Sequence, residues 1–145
     1  MKLHEASHLA IYSLQMESEL QLALIPSVSA GFPSPAADFM ELGIDLSKEL
    51  IKNPATTFLG RVKGNSMMDV GIQDGDLIII DKSLPLADGK IAVCFLDGEF
   101  TVKRIQLDKA GCWLVAENKE FSPIRVTEDN EFLVWGIVTN VIKKF

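Results

Sequence analysis

Asp97-Gly98 stands between two apolar runs, Ile91 to Leu96 and Glu99 to Ile105, and no other stretch restricts the fold of the chain as tightly. An Asp-Gly pair accepts the positive φ angles of a two-residue turn, so the flanking runs are expected to pair as an antiparallel hairpin. Further upstream, Leu77 to Ile80 follows Asp74-Gly75-Asp76 as an unbroken apolar run, which suits a strand buried on both faces. Trp113 to Ala116 and Phe132 to Ile142 supply further strands. From Thr57 onward the pattern is that of a mainly β domain, residues 57–145.

The preceding residues are organised differently. Asp45 can cap a short helix running to about Lys52, and Pro54 stops it, so residues 31–56 form a linker with one short helix. Residues 1–30 lack a complete fold signature and are expected to form an arm. Leu20, Leu22 and Leu24 alternate there as in an extended segment that docks on a surface. The stretch Ser29-Ala30-Gly31-Phe32-Pro33-Ser34-Pro35 is rich in small residues and turn formers. Its two prolines oppose both helix and central strand, leaving an extended or looped backbone of the kind a peptidase grips.

Composition narrows the function. The chain has 145 residues, 48% hydrophobic and 23% charged, enough for one domain with a real core plus an arm. Its 14 basic and 20 acidic residues leave a net charge of −6, and the cations are scattered. A broad phosphate-binding surface needs clustered lysine and arginine, so direct specific DNA binding is not expected, while a partner that itself binds DNA is compatible. Cys94 and Cys112 fit no metal or redox spacing; each lies in an apolar run, where a buried free thiol is the simple reading and mutual pairing the alternative. His4 and His8 are four apart but have no evident third ligand, so neither a metal nor a cofactor is expected. Val28-Ser29-Ala30 before Gly31 has the small-x-small form of a signal-peptidase site, but Glu17 and Glu19 interrupt the apolar stretch such a signal needs. No run reaches the roughly 18 apolar residues of a membrane helix, so the chain is read as cytoplasmic, with no membrane partner.

Two residues stand out for chemistry. Ser66 lies in Gly64-Asn65-Ser66-Met67, where a serine commonly serves only as a turn or cap residue. To act as a nucleophile it needs a base, and neither histidine falls in the globular part, which leaves a lysine. Lys103 lies in Glu99-Phe100-Thr101-Val102-Lys103-Arg104-Ile105, and alternation places Thr101, Lys103 and Ile105 on one face and Phe100, Val102 and Arg104 on the other. Two adjacent cations on a half-buried strand cannot both face away from the core. Lys103 then either snorkels to solvent or turns into an apolar cleft and loses its proton. Lowering a lysine pKa from about 10.4 to about 7 costs roughly 4.6 kcal/mol, so the second outcome requires substantial desolvation. Thr101, Ile105 and the Met67-Met68 pair are the neighbours expected to contribute to it.

Gly64-Asn65-Ser66-Met67, then Gly71-Ile72-Gln73-Asp74-Gly75-Asp76-Leu77, then Glu99-Phe100-Thr101-Val102-Lys103-Arg104 resembles the LexA/UmuD family of self-cleaving serine–lysine peptidases. Ala30-Gly31-Phe32-Pro33-Ser34-Pro35-Ala36 is similar to the cleavage region of the UmuD-type accessory proteins of translesion polymerases. Asn65 departs from the aspartate that many members carry, and the first 28 residues carry none of these motifs. The resemblance implies a LexA/UmuD-like C-terminal β domain with an extended, cleavable N-terminal arm. It implies Ser66 as nucleophile, Lys103 as general base and acid, the backbone N–H groups of Asn65 and Ser66 as oxyanion donors, and Ala30-Gly31 as the cleaved bond. The implied partners are a second copy of the chain in a homodimer, a RecA filament on single-stranded DNA, and a UmuC-like Y-family DNA polymerase. Residues 1–30 are too few for the helix-turn-helix domain that precedes the bond in LexA-type repressors, which favours the polymerase accessory of SOS mutagenesis. A non-catalytic dimeric module that regulates a polymerase without cutting itself is the alternative.

Overall fold

In the computed structural model, which describes residues 2–5, 9–14, 21–24 and 41–145, Asp97 and Gly98 adopt φ of 48° and 90°. They close the hairpin between β7 (Ile91–Leu96) and β8 (Glu99–Asp108), whose register runs from Leu96 opposite Glu99 to Ile91 opposite Arg104. The turn is tied to the next strand to arrive: Asp97 Oδ2 accepts from Asn130 Nδ2 at 2.7 Å, and Oδ1 accepts from the Glu131 N–H at 2.9 Å. That strand, β11 (Phe132–Ile142), inserts between β7 and β6 (Leu77–Asp81), so the end of the chain completes the middle of the sheet.

The remaining strands extend both sides. β1 (Lys2–Glu5), β2 (Leu9–Ser13) and β5 (Thr57–Val62) continue from β6, while β9 (Gly111–Val115) and β10 (Ile124–Arg125) continue from β8. The nine strands run in the order β1-β2-β5-β6-β11-β7-β8-β9-β10, every neighbour antiparallel. The mainly β expectation is met, strand by strand, from Thr57 onward. The amino-terminal contribution is a difference. Leu9, Ala10 and Ile11, in the stretch read as an arm, are buried core residues, with β2 paired to β5 from Phe58 to Val62.

Residues 15–52 cluster as a second compact unit, among whose described residues β3 (Gln21–Leu24) pairs with β4 (Glu41–Asp45) ahead of a short helix, α1 (Leu46–Leu50). Asp45 caps that helix as its sequence position predicts, with Oδ1 accepting from the N–H groups of Ser47 and Lys48 at 3.0 and 3.3 Å. Its segment 21–24 is extended, as the leucine alternation suggests.

Both sheet faces are buried near the centre. Ile78 and Ile80 of β6 join Val93, Val102 and Met67 in one cluster, while Ala92, Cys94, Ile105, Leu114 and Ile137 form another. Because Val93 lies between Ala92 and Cys94 along β7, the clusters occupy opposite faces. Close packing at β6 also explains Gly136, where a β-carbon would stand 2.6 Å from Ile80 Cγ2.

The end of β6 is held by a buried carboxylate. Asp81 accepts from Asn53 Nδ2 and Thr56 Oγ1, each at 2.8 Å, and from the N–H and Oγ of Ser83 at 2.8 and 2.7 Å. Burial raises its pKa, but the hydrogen bonds from Asn53, Ser83 and Thr56 outweigh that and lower it to about 2. A depressed carboxylate contributes stability above its ordinary value of 3.8, and the contribution is lost as pH falls through about 2. Asp81→Asn is expected to lower stability at pH 7 by about 1–3 kcal/mol. Chemical denaturation at pH 7 and near pH 2 checks this: the deficit should shrink at the acid end.

Candidate active site

The turn that carries Ser66 is built by three separate anchors. Met67 is 2% exposed and packs in the core cluster of Ile78 and Val102, which fixes the residue after the serine. Before it, Gly64 takes φ of 89°, and its N–H donates to Asp74 Oδ1 at 2.8 Å. Asp74 of the Asp-Gly-Asp motif thus braces the serine turn from a neighbouring loop. A third anchor comes from the segment after β9. The Glu117 carbonyl accepts from the Asp69 N–H at 2.7 Å, and Asn118 Nδ2 donates to the Asn65 carbonyl at 2.8 Å. Ser66 itself is half-buried.

β8 delivers the lysine to that turn. Alternation along β8, with Ala92 opposite Lys103 and Cys94 opposite Thr101, puts Thr101, Lys103 and Ile105 on the face of Ala92 and Cys94. Lys103 is 8% exposed, so of the two outcomes left open by the sequence it takes the buried one. Arg104 points the other way and forms an ion pair with Glu117. Lys103 Nζ donates to Ser66 Oγ at 3.3 Å, to Thr101 Oγ1 at 2.7 Å and to the Val102 carbonyl at 3.2 Å. Thr101, expected only as a desolvating neighbour, is a hydrogen-bond partner.

Burial lowers the pKa of Lys103 below its usual 10.5. With the proton lost, an amine keeps two N–H donors and gains one lone pair. The Val102 carbonyl can only accept and Thr101 Oγ1 is the nearest acceptor, so those two take the N–H groups. The lone pair is then left for the hydroxyl proton of Ser66. Burial has the opposite effect on the nearby thiol, raising Cys94 to about 12, so it stays neutral. Cys94 and Cys112 are both free; Cys94 is buried, as the simple reading expects, while Cys112 is only half-buried.

Ser66 and Lys103 open onto a cleft of about 290 Å³, whose walls include Asn65, Thr101, Leu96, Glu99, Phe121 and Ile124. It has one apolar wall and room for a short length of peptide. Among the described residues no group of histidine, cysteine, aspartate or glutamate could hold a metal, and no helix is long and apolar enough to cross a membrane. The structure therefore brings together Asn65, Ser66 and Lys103, while Ala30 and Gly31 lie outside the described residues. Asn118 and Glu117 escaped the sequence reading: an asparagine in a polar loop gives no sign of the distant turn it holds.

A mainly β domain that presents a serine hydroxyl to a buried lysine amine has the parts of a serine–lysine site. Residues 23–139 match the peptidase S24-like family, and the chain belongs to that family. It is 40% identical over 114 residues to protein MucA of Salmonella typhimurium, covering 78% of this chain and 77% of that protein. Protein SamA of Salmonella typhimurium strain LT2 is 42% identical over 115 residues, 79% of each chain. The LexA repressor of Acidithiobacillus ferrooxidans is 40% identical over 130 residues, 88% of this chain and 63% of the repressor. The resemblance to the LexA/UmuD family drawn from the motifs is thereby borne out.

The lowered Lys103 pKa carries a sign for stability. Folding disfavours the charged form, so the native state bears a penalty at neutral pH that disappears as pH rises to the unfolded value of 10.5. Lys103→Met removes the penalty. Its melting temperature is expected to exceed that of the wild type by a few degrees at pH 7, with the difference shrinking toward pH 10.5 in parallel thermal scans.

Proposed function

We propose that this chain is a UmuD-like peptidase that cuts its own Ala30-Gly31 bond with Ser66 as nucleophile and Lys103 as base. The observation that carries the reading is the 3.3 Å approach of a buried lysine amine to the Ser66 hydroxyl. The family membership and the likeness to MucA, SamA and a LexA repressor support it.

In the proposed reaction, Ala30-Gly31 enters the cleft from the same protomer or from the partner copy. Neutral Lys103 accepts the proton of Ser66 Oγ as the oxygen bonds to the Ala30 carbonyl carbon. The carbonyl electrons move onto its oxygen, and the N–H groups of Asn65 and Ser66 stabilise that charge. Collapse of the adduct breaks the Ala30–Gly31 C–N bond, and the Lys103 ammonium gives its proton to the departing Gly31 amine. Lys103, neutral again, then takes a proton from a water that attacks the Ala30 ester. The resulting ammonium returns that proton to Ser66 Oγ as the C–O bond breaks, releasing the Ala30 carboxyl group and restoring the Ser66 hydroxyl. Small residues at both sides of the bond suit an enclosed site. Thr101 and the Val102 carbonyl orient the amine and leave its lone pair to the serine.

The UmuD resemblance extends the proposal to regulation and partners. A RecA filament on single-stranded DNA promotes the cut by favouring a minor conformer in which the bond is seated and Lys103 is neutral. The trimmed protein then acts as a homodimer and as accessory subunit of a UmuC-like Y-family polymerase in the cytoplasm, in SOS mutagenesis. The net charge of −6 agrees with a protein that reaches DNA through partners.

Ser66→Ala and Lys103→Ala should each give a folded chain that remains uncut, with cleavage slowed at least about 1000-fold, the scale of losing a nucleophile or its base. Mass spectrometry after incubation with activated RecA, or at alkaline pH, checks for the fragment beginning at Gly31. Normal scission in either variant would defeat the assignment, and a wild-type chain that stays intact would favour the non-catalytic module. The spontaneous rate should rise with pH as Lys103 loses its proton and then level off. A rate that is flat between about pH 7 and pH 10 would rule out lysine as the base.

A further inference from the structure

The carbonyl of Asn65 and the N–H of Ser66 belong to one peptide unit. A trans peptide is planar, with its C=O and N–H directed to opposite sides, so whatever fixes the carbonyl also fixes the N–H. The Asn65 carbonyl accepts from the Met68 N–H at 3.2 Å, closing the local turn, and from Asn118 Nδ2 at 2.8 Å. The second bond is the shorter, and it reaches from a segment 53 residues away that packs beside β8. We propose that Asn118 is a positioning residue for the cleavage reaction, holding the Asn65-Ser66 peptide so that the Ser66 N–H is aimed at the developing oxyanion. The inference rests on the serine–lysine peptidase reading and adds to it the residue that aligns one of the oxyanion donors.

Several features make Asn118 suited to this task. It is 9% exposed, so its amide works in a desolvated setting where an unpaired donor would be costly. Its own loop is closed by two hydrogen bonds: Asn118 Oδ1 accepts from the Glu120 N–H at 3.0 Å, and its carbonyl accepts from the Phe121 N–H at 3.1 Å. Glu117, the residue before it, is paired through its side chain with Arg104, the immediate neighbour of Lys103 on β8. The Glu117 carbonyl holds Asp69, so the two consecutive residues grip the turn on both sides of Ser66, at Asn65 and at Asp69. The turn that carries Ser66 is thereby tied, through Glu117 and Arg104, to the strand that carries Lys103.

The two side-chain atoms of Asn118 have separable jobs, which makes the inference testable. Asn118→Asp keeps an oxygen to accept from Glu120 but loses the N–H donor to Asn65, whereas Asn118→Ala loses both. Autocleavage of the full-length chain is followed across the alkaline range, with melting temperature measured for each variant. Both variants should remain folded and cleave roughly 10- to 100-fold more slowly at the alkaline plateau, the scale of a misaligned oxyanion donor. The midpoint of the pH profile in Asn118→Ala should match the wild type, because Lys103 is not disturbed. A wild-type plateau in Asn118→Asp would overturn the inference and leave Asn118 a loop cap. A wild-type plateau in Asn118→Ala reached at a displaced midpoint would also overturn it, by tracing the effect to the base. A wild-type chain uncut at every pH would instead bring down the peptidase reading itself.

Discussion

A lysine amine removed from water and set against a serine hydroxyl is the interaction on which the rest of the site depends. Lys103 is 8% exposed, and its Nζ meets Ser66 Oγ at 3.3 Å. Burying a lysine disfavours its charge, and among the described residues Nζ bonds to two hydroxyls and a carbonyl and to no carboxylate. The effect is a weakened hold on the proton beside the Ser66 hydroxyl. Arg104, next along the strand, shows the contrast. It faces the other way and pairs with Glu117 in a half-exposed setting.

The sheet gives this pair its geometry. β8 is locked on one side to β7 by the Asp97-Gly98 turn and on the other to β9, so the position of Lys103 is set by ladder hydrogen bonds over most of a ten-residue strand. The serine, by contrast, sits in a loop, and loops need separate bracing to hold a reacting atom within a fraction of an ångström. Met67 in the core, Asp74 on the Gly64 N–H, and Glu117 with Asn118 on the two flanks supply that bracing. Most of the hydrogen bonds that shape the site therefore support the turn and do not touch the reacting atoms.

Much of this was legible in the sequence where the signal is local. Asp97-Gly98 specifies its hairpin, the Leu77–Ile80 run specifies a strand buried on both faces, and Asp45 caps its helix, because each depends on residues close in the chain. The face shared by Thr101 and Lys103 follows from simple alternation. What could not be read is what depends on distant pairing. Leu9-Ala10-Ile11 is too short an apolar run to announce a strand, and it becomes one through pairing with β1 and with β5, more than forty residues on. Asn118 has the look of an ordinary loop residue until the fold brings it to Asn65. Thr101 was misjudged for a similar reason: its hydroxyl becomes a partner only because Lys103 turns inward.

The most direct measurement is the titration of Lys103 in the intact protein, followed by NMR with carbon-labelled lysine and assigned by comparison with Lys103→Met. The expected midpoint lies below the usual 10.5, because burial weakens the ammonium. A midpoint at or above 10.5 would contradict the central claim, since the amine would then be a surface-like cation and no base for Ser66.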